Sequence, residues 1–238
     1  MLKIIYEDPD ILVVEKPVGM ESQSSRGFGV DMVSEIKRHI HKEIHKEIHR
    51  GGEPYVGVIH RLDKPVSGVM VYAKNKKAAA SLSKQVQDGT MKKEYLAVLC
   101  GKPVDNVGNY VDFLLKNDET NCSQVVDMGI TGGKRAELNY RIMGTIEQEG
   151  KLLSLVRVEL LTGRHHQIRV QFSHRGTPLW GDHKYNPEFS KPEKKQENIA
   201  LCACSLSFLH PKTGKRVSCS MEPQGAVFRL FHKMNDVH

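Results

Sequence analysis

The chain contains no C-x-x-C pair, and its cysteines, Cys100, Cys122, Cys202, Cys204 and Cys219, are odd in number. This argues against a disulfide framework or a zinc ribbon and for a reducing compartment. Cys202 and Cys204 would share one face of a strand, but two thiols alone rarely make a metal site. No apolar run reaches the roughly 18 residues of a membrane span. The opening MLKIIYED lacks a basic segment followed by a long apolar run, so no signal peptide is visible. These absences read as a cytoplasmic protein that does not engage a membrane. A regular β-α-β alternation is also missing, which argues against a doubly wound parallel sheet.

Positive charge is plentiful. The 238 residues carry 35 Lys plus Arg against 28 Asp plus Glu, a formal charge of +7. That invites an anionic partner, nucleic acid first, although a solvated basic surface accounts for it equally well. The length suits one large domain or two small ones. With no composition shift to mark a linker, we read a single domain over residues 1–238, with two lobes as the alternative.

KIIYED and ILVVEKP predict two strands around a turn at Asp8-Pro9-Asp10. Over 30–49, Val33, Ile36, Ile40, Ile44 and Ile48 recur at helical spacing, and Gly51-Gly52 would end that helix. GVIHRL and GVMVYAK read as strands flanking a loop from Asp63 to Ser67. KKAAASLSKQVQDG reads as a helix stopped by Gly89. Strands follow at KKEYLAVLCG, KRAELNYRIM and LLSLVRVELL. Thr162 can cap a helix through RHHQIRVQFSHR, closed by Gly176. After a polar loop come the strands IALCACSLSFLH and KRVSCSM around a P-K-T-G turn, then a helix near GAVFRLFHKM. Strands outnumber helices and are often consecutive. The expected fold is α+β, a mixed, mainly antiparallel sheet with flanking helices.

RHIHKEIHKEIHR repeats HKEI and sets His41, His45 and His49 four apart. On a helix they would stack on one face, where a metal pair or loose contact with phosphates is possible. The same repeat makes the isoleucines a core stripe and leaves Lys and Glu in water. No H-E-x-x-H is present, and no carboxylate or Cys stands ready to complete a shell. A solvated amphipathic helix is the better reading.

Three stretches carry chemistry. In HRLDKPVSG, residues 60–68, the carboxylate Asp63 lies among His60, Arg61 and Lys64. Nearby cations keep a carboxylate ionised, as a nucleophile or base requires; a turn-forming Asp before Lys-Pro explains it as well. In LTGRHHQIRVQFSHRG, residues 161–176, there is no acid, yet Arg164, Arg169 and Arg175 are present. Arg164 would lie in the first turn of the helix capped by Thr162, a good place to meet an anion, Asp63 or a phosphate. In KKEYLAVLCG, alternation places Tyr95, Ala97 and Leu99 on one face. Tyr95 is then either a core-edge tyrosine or one that stacks on a base or moves a proton.

Together these stretches resemble the RluA family of pseudouridine synthases. YEDPDILVVEKPVGM, HRLDKPVSGVMVYAKN, KKEYLAVLCG, TGRHHQIRVQF, GTPLWGDHKY and LCACSLSFLHPKTGK follow in the family's order, from about residue 4 to residue 222. The resemblance implies a pseudouridine-synthase-like fold with a central catalytic cleft. It implies an isomerase that breaks a uridine's N-glycosidic bond in structured RNA, turns the base and rejoins it through C5, without metal or organic cofactor. By motif position Asp63 is the catalytic aspartate, acting either on C1′ or on the C2′ proton. Tyr95 is the tyrosine packed on the target base, and Arg164 the basic residue paired with the aspartate. Arg61 is the arginine that fills the space left by the flipped base, an extrusion that costs roughly a few kcal/mol. His60, Leu62, Ile168 and Arg169 are assigned to substrate binding around the pocket. The six lysines of 74–93 would follow phosphates.

Many relatives carry an S4 RNA-binding domain before the first block. Here that block begins near residue 4, so the expectation is no S4 domain, with RNA affinity residing in the catalytic domain of a monomer. Ribosomal and transfer RNA are the implied substrates. The late block reads Leu201-Cys202-Ala203 where relatives often have L-H-A, and Gln171 stands where relatives often have His; both bear on pocket detail. Two other functions are alternatives. One is an inactive RNA-binding protein on the same scaffold. The other is a metal hydrolase using His60, Asp63, His165 and His166.

Overall fold

The computed structural model describes residues 2–24, 30–47 and 53–232, without the side chains of 43–47 and 232. Packing divides the chain into two compact units, each built from separate stretches. The first comprises Met1–Lys92 and Ala203–Met221, the second Lys93–Cys202 and Glu222–His238.

In the first unit, β1 (Lys3–Glu7) and β2 (Ile11–Lys16) pair antiparallel across the expected Asp8-Pro9-Asp10 turn. Asp8 makes that turn, its Oδ1 accepting from the backbone N–H of Asp10 and Ile11. After α1 (Met32–Glu47) and the two-residue β3 (Gly57–Val58) comes β4 (Ser67–Ala73), antiparallel to β2. Next are α2 (Lys76–Gln87), capped by Asn75, and, from the late stretch, β10 (Leu201–Leu209) and β11 (Arg216–Ser220). The strand order is β1-β2-β4-β10. β2 and β4 are buried on both faces, which is why they read as continuous apolar runs. Ile11, Val13, Val69 and Val71 form one core with Ala78 and Leu82 of α2 and Leu206 and Phe208 of β10.

On α1 the expected stripe is buried at Ile36 and Ile40, with Met32. Val33 is half-buried and His41 exposed. The side chains of Ile44 and His45, and Ile48, His49 and Gly51-Gly52, lie outside the described residues. GVIHRL corrects an expectation: only Gly57–Val58 is strand. Beyond Val58 side chains replace part of the ladder. His60 Nε2 accepts from Val71 N–H at 3.2 Å, and Ser22 bonds both backbone groups of Leu62.

In the second unit the order is β5-β9-β8-β6-β7, all antiparallel neighbours. The strands are β5 (Lys92–Cys100), β6 (Val107–Asn117), β7 (Cys122–Val126), β8 (Lys134–Gln148) and β9 (Lys151–Leu160). β6 and β7 were not expected from the sequence. Most of their residues are exposed or half-buried, so their apolar contrast is weak. Two helices, α3 (Gln167–His174) and α4 (Ala226–His232), complete the unit. Phe172 of α3 packs edge-on against Tyr110 and Tyr140.

Candidate active site

Asp63 belongs to the first unit and sits where an extended run becomes a turn. Val66 N–H donates to the Asp63 carbonyl at 3.0 Å, and β4 begins one residue later. The basic neighbours divide by side. Leu62 is buried, His60 and Asp63 are half-buried, and Arg61 and Lys64 are exposed. Leu62 is thus an anchor, and Arg61 is presented to solvent. Lys64 lies 3.7 Å from Glu21.

Beneath this turn lies Lys16, a residue that no motif singles out. Lys16 is fully buried at the end of β2, opposite Gly68 of β4. Its ammonium donates to the carbonyls of Pro17, Met20 and Lys64. Burial pushes its pKa down to about 8, and the Asp63 carboxylate acts in the opposite sense. The available signal was a lysine closing a strand buried on both faces, a place where charge is costly.

Tyr95 belongs to the second unit. It is 7% exposed on β5, opposite Val158 of β9. Tyr95, Ala97 and Leu99 are all buried, as expected of one face, and Val98 on the other face is buried too. Lys93, two residues earlier, is half-buried, and burial lowers its pKa.

Arg164 requires a correction. The helix does not begin at Thr162; α3 starts at Gln167, and Arg164 lies three residues ahead of it in a loop. His166, at the helix boundary, has φ 53°, a left-handed conformation that an α-helix of L-residues cannot continue through. Thr162 therefore caps nothing. Its hydroxyl accepts from Glu137 N–H and donates to Gln167 Oε1, which also accepts from Arg164 N–H. This bracing holds the loop against β8, and Arg164 Nε donates to the Arg135 carbonyl at 2.8 Å. Arg164 therefore gains nothing from a helix terminus and is an exposed residue on a braced loop.

Ile168 and Arg169 are both buried on α3. Arg169 forms a two-point pair with buried Asp182, at 2.8 and 2.7 Å, and lies over the Tyr185 ring. Gln171 donates to Asp112 Oδ2 at 2.7 Å while its own Oε1 is buried without a partner. His165 Nδ1 bonds Ser123 Oγ and His166 Nδ1 bonds Tyr185 Oη, each at 2.8 Å. Among the described residues, the set with metal-like spacing is elsewhere, at Asp8, Asp10 and His210. There His210 Nδ1 accepts from two backbone N–H groups, so Nε2 carries the proton it gives to Asp8. That nitrogen is engaged as a donor and is not poised as a ligand.

Known structures share the fold. The fold matches human RNA pseudouridylate synthase domain containing 4 with a TM-score of 0.75 at 20% identity, over 98% of this chain and 93% of that one. Human RNA pseudouridylate synthase domain containing 1 matches with a TM-score of 0.73 at 22% identity, over 99% and 95%. The sequence then gives the family. Residues 10–174, which include Asp63, Tyr95 and Arg164, match the RNA pseudouridylate synthase family. Ribosomal large subunit pseudouridine synthase D of Zymomonas mobilis is 32% identical over 98% of this chain and 72% of its own length. Ribosomal large subunit pseudouridine synthase C of Escherichia coli O157:H7 is 30% identical over 98% and 70%. The chain belongs to the RNA pseudouridylate synthase family and is an isomerase acting on RNA.

Proposed function

We propose that the chain isomerises particular uridines of structured RNA, ribosomal or transfer, with Asp63 as the reactive carboxylate. We further propose that it acts as a single catalytic domain, a monomer, in the cytoplasm. The observation that carries this reading is the setting of Asp63: a half-exposed carboxylate on a turn fixed from beneath, inside a block shared with the family. The relatives' names, ribosomal large subunit pseudouridine synthases, favour ribosomal RNA. A lone carboxylate suits the chemistry. The base stays with the enzyme and no water is consumed, so the second acid of a glycosidase has no task. Tyr95 would pack on the uracil, Arg164 would hold Asp63 ionised, and Arg61 would occupy the gap left by the flipped nucleotide. Leu62, Ile168 and Arg169 would act on the pocket by fixing its walls, and His60 by fixing the run that carries Asp63.

The test is Asp63→Asn and Asp63→Ala. Both should abolish pseudouridine formation while thermal unfolding and RNA affinity stay near wild type. Full activity in either variant removes Asp63 from the mechanism. Mapping pseudouridines in total RNA from cells with and without the gene identifies the site.

A further inference from the structure

Lys16 spends a buried charge on backbone. A lysine ammonium has three donors and no acceptor, and all three bonds go to carbonyls, of Pro17 at 2.9 Å, Met20 at 2.6 Å and Lys64 at 3.2 Å. The first two close the local bend after β2. The third reaches 48 residues along the chain to the carbonyl of Lys64, the residue that follows Asp63. Gly19 N–H donates to that same Lys64 carbonyl at 2.9 Å.

The peptide before Asp63 is gripped as well. The Ser22 hydroxyl donates to the Leu62 carbonyl at 2.9 Å and accepts from Leu62 N–H at 3.0 Å. Ser22 is 3% exposed, and its own carbonyl accepts from Tyr72 Oη at 3.1 Å. One short segment, 16–22, therefore holds the backbone on both sides of Asp63 and leaves its carboxylate half exposed. A neutral side chain could close the bend without the cost of burying an ammonium. What lysine adds is the third bond and a positive charge in the field of Asp63.

We propose that Lys16 and Ser22 are positioning residues that clamp the main chain on either side of Asp63 and present its carboxylate in one orientation. The proposal rests on the reading of Asp63 as the reactive group. Misplacing a reacting atom by about 1 Å can cost on the order of 100-fold in rate. Ser22→Ala and Lys16→Met should therefore lower kcat by roughly 10- to 100-fold with KM unchanged. Activity is measured on an RNA transcript carrying the site found by mapping.

Two further readouts separate positioning from general stability. Amide hydrogen exchange at Gly19, Leu62 and Val66 should quicken in both variants while the core strands β2 and β4 stay protected. The pH profile should also change. In the wild type kcat should decline as pH rises through about 8, where Lys16 loses its proton. It then has two N–H groups for three carbonyls. Lys16→Met should lack that decline and Ser22→Ala should keep it. If Lys16→Met does not fold, Ser22→Ala decides alone. Wild-type kcat in the variants, or a lowered kcat with those three amides still protected, overturns the proposal. A wild-type protein that makes no pseudouridine on any RNA would instead remove the functional reading, a result seen before any variant is compared.

Discussion

Lys16 and Asp63 put opposite charges beneath and upon one turn, and pH should act on the two consequences in opposite directions. The folded protein holds the Lys16 pKa near 8, below its ordinary 10.5. The unfolded chain therefore binds more protons between those values, and stability rises with pH across that window. The cost of burying the charged form, about 3 kcal/mol by this shift, is fully present below pH 8 and relieved above it. Wild-type stability relative to Lys16→Met should accordingly increase from pH 8 to pH 10 in denaturant unfolding, while catalysis declines. Subtracting the variant removes the contribution of Tyr72, whose pKa burial raises and whose effect appears at higher pH. Arg61 illustrates the other use of a cation here. It is exposed where its neighbour Leu62 is buried, so Arg61→Ala should leave the thermal midpoint within a degree or two of wild type. Pseudouridine formation on duplex-embedded uridine should fall steeply, with less loss on an unpaired uridine, as measured by side-by-side turnover assays.

At the scale of elements, the turn that carries Asp63 depends on a close approach that begins just after it. Gly68, the last residue of HRLDKPVSG, has φ +151°, and a Cβ there would sit 2.4 Å from the Cβ of Ala203 and 2.7 Å from its backbone N and O. Backbone cannot yield as a flexible side-chain tip can. Gly68→Ala should cost about 3 kcal/mol, read by urea unfolding, and should lower activity with it. The glycine was visible in the sequence, but β10, the strand that needs it, lies more than a hundred residues away. α3 shows a similar gap. Its body was legible from its apolar positions and its end from Gly176. Its start was not, because a left-handed His166 and a glutamine-braced loop depend on contacts with β8 at Glu137 and Arg135. Arg164 is consequently held by a strand rather than by a helix end.

For the whole molecule, a formal charge of +7 predicts RNA affinity that weakens steeply with salt. The lysines of α2 and its flanks are not equivalent. Lys74 is tied to Glu7 at 2.8 Å, while Lys76, Lys77 and Lys84 are exposed. Replacing each of these three with Gln should weaken RNA binding without changing kcat. Each should reduce the slope of log affinity against log salt by about 0.7 to 0.9. Equal slopes in wild type and triple variant would remove this face from the RNA path.

The order of blocks, the apolar strands β2 and β4, the stripe of α1 and the Asp63 motif were all set by the sequence. Each depends on local residue types and short spacings. The tertiary structure decided what no spacing reveals: that Lys16 and Ser22 reach the peptides around Asp63, that Leu62 is anchored while Arg61 faces out, and that Arg164 stands on a braced loop. The physical reason is that a buried polar group must find partners, and those partners come from whichever part of the chain folding brings within about 3 Å.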